Sequence, residues 1–312
     1  MSTQPSAMPD SSVEAQVIAP AAVSTTRPLY WSVRREIWEN RSLYIAPLSV
    51  AGVILLGFLI RLAHLPERTR AALALELEKQ RAMLIMPYDV AAALIMAAAF
   101  IVGVFYCLDA LYGERRDRSI LFWKSMPVSD LTTVLSKITM PLIVLPVIVF
   151  VVIVATQMVM LVLNTMALLG SGVSAAPLWE QMKFFQSSVA MLYALIAIAL
   201  WHAPIYAWLL LVSAWARRTP FLWAILPLFG ICILEKVAFN TTHFPKLLAY
   251  RFLGWFGQAF SPPLPKGSAA LDPLSQLTPI KFLDTPGLWL GLVAAAIFVV
   301  VAMRMRKYRE PI

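Results

Sequence analysis

Six runs of about 20 mostly apolar residues, each bounded by charged or turn residues, constrain this chain more than any other feature. They are Leu43 to Leu62, Val90 to Leu111, Thr139 to Leu163, Val189 to Trp215, Pro220 to Phe239 and Leu288 to Met303, the last short enough that its start lies a few residues earlier. At about 1.5 Å of rise per residue, such a run matches the roughly 30 Å hydrocarbon core of a bilayer. Hydrocarbon offers no partner to a backbone N–H or C=O, so each run must satisfy its own backbone as a helix. The expected fold class is therefore an all-α membrane protein with six transmembrane helices. A hydrophobic fraction of 60% against 14% charged residues, with mean hydropathy +0.74, excludes an ordinary soluble domain.

Orientation follows from Lys and Arg near the span ends, because basic residues are retained on the cytoplasmic side during insertion. Arg34, Arg35 and Arg41 precede the first span; Arg115, Arg116, Arg118 and Lys124 follow the second; Arg217 and Arg218 follow the fourth; Arg304, Arg306, Lys307 and Arg309 follow the sixth. All fall on one side if both termini are cytoplasmic, which is the expected topology in a cell (inner or plasma) membrane. Opposite them, Arg68, Arg70, Lys79 and Arg81 are mixed with Glu67, Glu76 and Glu78. The net charge of +9 then reflects topology and attraction to anionic lipid headgroups, and no nucleic-acid partner is expected. Residues 1–27, rich in Ser, Thr, Pro and Ala, read as a disordered cytoplasmic tail, with one transmembrane domain over residues 28–312.

Two segments outside the spans carry apolar faces. In "PLYWSVRREIWENRSLY", Trp31, Arg34, Arg35 and Trp38 fall at i, i+3, i+4 and i+7, the pattern of an amphipathic helix lying on the cytoplasmic interface. Between spans five and six, "HFPKLLAYRFLGWFGQAFSPPLP" is too apolar for open water and predicts short outer helices ended by Pro262, Pro263 and Pro265. The stretch "RTRAALALELEKQRAML" between the first two spans has the composition of a surface helix.

Familiar catalytic signatures are missing. The chain has no G-x-x-x-x-G-K-[ST], H-E-x-x-H or G-x-S-x-G, so neither P-loop nucleotide binding nor the corresponding protease and hydrolase chemistry is expected on it. Cys107 and Cys232 lie in apolar runs and His64, His202 and His243 are scattered, so no disulfide or metal site is expected. Ionisable residues within spans are few. Asp109, Glu235 and Lys236 sit near span ends, whereas His202 in "LWHAPIYAW" is deep. Pro204 frees a backbone carbonyl that His202 can help satisfy, or the ring can line a cavity; it is the candidate pathway residue.

The segment "YGERRDRSILFWKSMPVSD", Tyr112 to Asp130, joins spans two and three on the basic side. A helix over Glu114 to Lys124 would pair Glu114 with Arg118 at i, i+4, Pro127 would stop it, and Ser129 or Asp130 would cap the next helix. Ile120, Leu121, Phe122 and Trp123 are consecutive, so at about 100° per residue they point in four directions. Lipid covers one of those directions, which leaves the others to another part of the protein or a partner.

At these residues the chain resembles the permease subunits of ABC-2 type transporters. The matching pattern is Glu114 and Arg115 after an apolar span, the Met126, Pro127, Val128, Ser129 turn, and Lys137 with Ile138 entering the third span. The six spans, the interface helix and the apolar outer segment also look like that family. The resemblance implies a permease that binds no cofactor itself, with ATP and magnesium on a separate ATPase subunit and a second permease copy or a related permease as dimer partner. It further implies an exporter of a lipid-like, amphipathic or drug-like substrate, and a loop that inserts into a groove of the ATPase. Ile120, Phe122 and Trp123 would then be its buried anchors and Arg115, Arg116, Arg118 and Lys124 its charged rim, with Asp117 paired inside the loop. The alternative is a polytopic membrane enzyme or assembly factor docking a non-ATPase cytoplasmic protein.

Overall fold

A computed structural model describes residues 26–62, 67, 69, 71, 75–125, 128–261 and 273–308. Among them the chain is all-α, and six helices are long and apolar enough to cross a membrane. Helix α1 is Thr26–Glu39, α2 is Ser42–Leu62 and α3 is Leu77–Asp109. Two short helices follow, α4 (Tyr112–Arg116) and α5 (Ser119–Ser125), then α6 (Asp130–Thr139), a π-helical turn at Met140–Val144, and α7 (Leu145–Gly170). Next come α8 (Ala176–Met182), α9 (Phe184–Trp215), α10 (Pro220–Phe239) and α11 (His243–Ala259). A 3-10 turn at Pro273–Gln276, α12 (Pro279–Asp284) and α13 (Pro286–Tyr308) complete the chain.

The spans are α2, α3, α6 with α7, α9, α10 and α13. Several exceed the sequence-derived runs: α3 begins at Leu77 rather than Val90, so the last part of the expected surface helix, residues 77–84, is continuous with the second span, while residues 68, 70 and 72–74 lie outside the described residues. The third span runs from Asp130 to Gly170 through the π turn. Long polar-tipped extensions of this kind are invisible to a search for apolar runs. Residues 1–25, like Pro262, Pro263 and Pro265, lie outside the described residues, and Thr26 and Arg27 already belong to α1.

Helix α9 is the mast of the bundle. In its apolar window 61% of residues are buried, against 6% for α10. The reason is composition: Ala197, Ala199, Ala203, Ala207 and Ala214 let neighbours approach closely, and Trp201 fills the space between them. Helix α13 packs along α9, with α3 and α7 on its other sides. Helix α10 leans on the rest through a Phe105–Phe221 stack and a Trp208 bond to the Ala224 carbonyl of 3.2 Å.

The segment between α10 and α13 goes deeper than a cover. Glu235, near the end of α10, accepts from the Thr241 hydroxyl (2.7 Å) and from the N–H groups of His243 (2.6 Å) and Phe244 (2.8 Å), satisfying the start of α11 and turning the chain back. Helix α11 then reaches His202, whose Nε2 lies 3.2 Å from the Phe252 carbonyl. His202 is eleven residues, or about 17 Å of helical rise, from Ser213 at the basic end of α9, so α11 reaches well into the bundle.

Candidate functional site

The basic end is organised around Glu114. Helix α4 follows α3 with only Ala110 and Leu111 between, and Ser213 of α9 receives that corner: its hydroxyl accepts from the N–H groups of Leu111 (2.9 Å) and Tyr112 (2.8 Å). Arg115 donates to the Ser213 carbonyl (3.0 Å) and to the Ala216 carbonyl. The corner is thereby tied to the last turn of α9, where the terminal carbonyls need donors.

Glu114 faces the other way, into a cluster of charge. Its Oε1 lies 3.1 Å from Lys137 Nζ and 3.6 Å from Arg35 Nη2, and its Oε2 lies 3.1 Å from Arg306 Nη2. Lys137 also reaches Glu36 at 2.8 Å, Arg306 pairs with Asp130, and Glu36 accepts from the Tyr106 hydroxyl at 2.9 Å. Glu36, Glu114, Lys137 and Arg306 are all buried. Three enclosed or half-enclosed carboxylates (Glu36, Glu114, Asp130) thus face three cations (Arg35, Lys137, Arg306) contributed by α1, α4, α6 and α13, so this inner part of the cluster is neutral and bridges elements far apart in sequence, with the exposed Glu39 at its edge, 3.4 Å from Arg35. Neutrality is what makes burial tolerable, since an uncompensated ion in low dielectric costs several kcal/mol. Burial acts to raise the Glu36 carboxyl, but the Lys137 ammonium and Arg35 guanidinium, with bonds from Lys137 and Tyr106, hold it below its ordinary range.

This geometry corrects several sequence-based expectations. Arg115, expected at a charged rim, is 2% exposed and serves the end of α9. Glu114 and Arg118 do not form the i, i+4 pair: Arg118 adopts φ 58°, breaking the expected single helix into α4 and α5, and Glu114 finds stronger partners in the cluster. Ile120, expected as an anchor for a partner, is 1% exposed because this chain itself covers it.

Leu121 and Phe122 remain exposed at 58% and 60%, side by side on α5. Arg116 is exposed and joins Asp117 at 2.9 Å, the expected pairing inside the loop, and also approaches Asp109 at 3.8 Å. Trp123 and Lys124 belong to α5, but their side chains, like all of Pro127, lie outside the described residues. Ser129 does cap α6, accepting from the Thr132 N–H at 3.1 Å.

In α1, Trp31 and Trp38 are exposed and Arg34 lies between them, 5.2 Å and 4.9 Å from the ring centroids. Arg35, expected on that same surface, turns inward to Glu36, Glu39 and Glu114. The helix therefore has a wet aromatic face and a buried ionic one. Of the two roles expected for His202, the structure shows the second: the ring lines a cavity of about 370 Å³, whereas its Nδ1 lies 2.9 Å from the Ile198 carbonyl and not from that of Leu200, the one Pro204 leaves without its α-helical donor.

Sequence reading missed Glu36, Tyr106 and Ser213 altogether and took Arg306 for a topology marker. No alternation or motif marks them; only their convergence in space does. No group of His, Cys, Asp or Glu among the described residues has the arrangement to hold a metal ion. Comparison with protein-family models, curated proteins and solved structures finds no match to this chain.

Removing one member should unbalance the cluster. Glu114→Gln leaves three cations with two carboxylates and should cost about 3–5 kcal/mol of stability, read as a lowered melting temperature in detergent. Glu114→Leu combined with Arg306→Met should lose less than the two single changes added together, because the double variant leaves no orphaned charge at that contact. The Glu36 carboxyl also sets a pH dependence. Since its folded value lies below the unfolded one, its contribution is complete above the unfolded value of about 4.5 and is lost as pH falls through the lower folded value. Acid melting curves should therefore steepen below that point, and Glu36→Gln should flatten the steepening.

Proposed function

We propose that this chain is the membrane subunit of an ATP-driven transporter, an exporter powered by a separate P-loop ATPase that docks on α5. The observation that carries this reading is the construction of the α4–α5 corner. Its outward tip exposes two adjacent large apolar side chains, Leu121 and Phe122. Its base is bonded to α9 through Ser213 and Arg115 and to α1, α6 and α13 through Glu114. A push on the tip therefore reaches four elements of the bundle through the turn at Arg118 and the buried Ile120 beside it. Energy-coupled transport needs such a linkage, since a partner's conformational change has to be converted into movement of the spans.

Two further features agree with it. The chain has no P-loop of its own, so the energy has to arrive from elsewhere. The exposed apolar pair is flanked by Arg116 and Arg118, the arrangement of a desolvated centre with a polar rim common at protein interfaces. Helix α1, with Trp31, Arg34 and Trp38 turned outward, anchors the same assembly at the lipid headgroups. A second copy of the permease, or a related one, completes the transporter, and both termini lie with the ATPase on the cytoplasmic side. The exported substrate belongs to the lipid-like or amphipathic class suited to so apolar a bundle.

Leu121→Ala with Phe122→Ala tests the docking. Purified from native membranes, the unaltered chain should bring a P-loop ATPase with it. The double variant should insert to the same level yet retain about tenfold less of that ATPase or lower, the loss expected for two central apolar anchors. Equal recovery of the ATPase would reject the docking surface, and recovery of a non-ATPase protein in its place would establish an assembly factor.

A further inference from the structure

The cavity of about 370 Å³ is enclosed by α3, the start of α7, α9 and the deep part of α11. Its walls are almost wholly apolar, and four aromatic rings, Phe100, Tyr206, Phe252 and Trp255, contribute to them. No Asp, Glu, Lys or Arg lines it. His202 is its one imidazole, and its nitrogens face the backbone carbonyls of Ile198 and Phe252, to one of which a neutral ring donates. The Tyr206 hydroxyl is different. Tyr206 is 4% exposed, yet among the described residues its hydroxyl makes no hydrogen bond. The residue is buried but its hydroxyl oxygen is not fully enclosed, and Tyr206 lines the cavity, so the hydroxyl can meet a solute there.

The wall opposite supplies acceptors. Pro141 and Pro146 both line the cavity and bracket the π turn Met140–Val144. The Leu145 N–H goes to the Met140 carbonyl, one residue further back than in an α-helix. Pro146 has no N–H, so it gives nothing to the Leu142 carbonyl in the α pattern or to the Pro141 carbonyl in the π pattern. Single π turns of this kind are frequent at functional sites, and here the carbonyls that Pro146 leaves without its donor lie beside the cavity lining. The mouth of the cavity lies between the small exposed residues Ala93 and Ala97 and the exposed Leu253. It therefore opens sideways on the bundle, between spanning helices, where solutes dissolved in a bilayer would have access.

We infer that this cavity binds a neutral, lipid-soluble molecule with a ring-bearing apolar body and a single hydroxyl group. The rings select the body, as offset and edge-on aromatic contacts favour a flat or unsaturated partner over a saturated chain. The hydroxyl accepts from Tyr206 and donates to a carbonyl of the proline-bracketed turn. Anions and cations are excluded, because burying an unpaired charge in this lining costs far more than one hydrogen bond returns. The site stands independently of any ATPase, since its claim concerns binding alone.

Photolabelling of the purified chain in lipid nanodiscs tests it. The probe is a trifluoromethyl-phenyldiazirine bearing a hydroxymethyl group, compared with the same diazirine lacking that group and with its carboxylate counterpart. Saturable labelling by the alcohol should map to peptides carrying Phe100 and Phe252, the parent compound should label them more weakly, and the carboxylate should not. Tyr206→Phe keeps the cavity's volume and should weaken the alcohol about three- to tenfold, the worth of one hydrogen bond, while leaving the parent unchanged. Ala199→Phe fills the cavity and should abolish saturable labelling by both. The assignment is overturned if the alcohol labels lipid-facing positions such as Leu226 and Phe229 as strongly as the cavity. It is equally overturned if Tyr206→Phe leaves alcohol affinity intact in a variant that elutes as a single species, for then lipid chains fill the space without recognition.

Discussion

A carboxylate held out of water needs positive charge at close range, and Glu114 takes its own from three different elements. Arg35 comes from α1, Lys137 from α6 and Arg306 from α13, and Glu114 joins all three at one point, beside the direct Lys137–Glu36 and Arg306–Asp130 pairs. Apolar packing within a membrane specifies position weakly, because lipid tails are as apolar as the side chains they displace. A neutral buried cluster specifies it strongly, since any shift that separates a pair strands an ion. The ionic end is thus the fixed point from which the spans depart.

That fixed point has two neighbours along α9. One is the corner bound to Ser213, whose far side exposes Leu121 and Phe122. The other is the cavity, whose Tyr206 lies seven residues, about 10 Å of rise, from Ser213 on the same helix. Gly103 of α3 keeps the two in register: a Cβ there would approach the Tyr206 ring at 3.3 Å and Leu145 at 3.2 Å, tighter than ordinary contact. Helix α9 accordingly connects a surface suited to a protein partner with a chamber suited to an apolar solute. In the proposed transporter, force entering at one would alter the shape of the other.

The hydrophobic runs made the helical class and the number of spans legible, because hydrocarbon permits little else. They did not reveal how far α3 and α7 continue beyond the apolar window, since polar residues on an extended helix look like loop. The loop Tyr112 to Asp130 was recognisable as unusual, but its charges were misassigned. Glu114 and Arg115 read as surface residues until the positions of Lys137, Arg306 and Ser213 are known, more than 20 residues away in each case. Ile120 and Phe122 are two residues apart and met opposite fates, buried and exposed. Two residues apart on α5 they point about 200° from each other, and the left-handed turn at Arg118, which no propensity for arginine favours, sets which of the two faces inward. His202 was flagged by depth alone, whereas Tyr206 carried no signal because tyrosine in an apolar run is ordinary.

The most direct test of the central claim, that the α5 tip receives a force-generating partner, is to place a photoreactive amino acid at position 122 and irradiate native membranes. The expected product is a single crosslinked species containing a P-loop ATPase, formed less when α5 is tilted by disrupting the Glu114 cluster. Crosslinks to lipid alone, or to a protein without a nucleotide site, would contradict it.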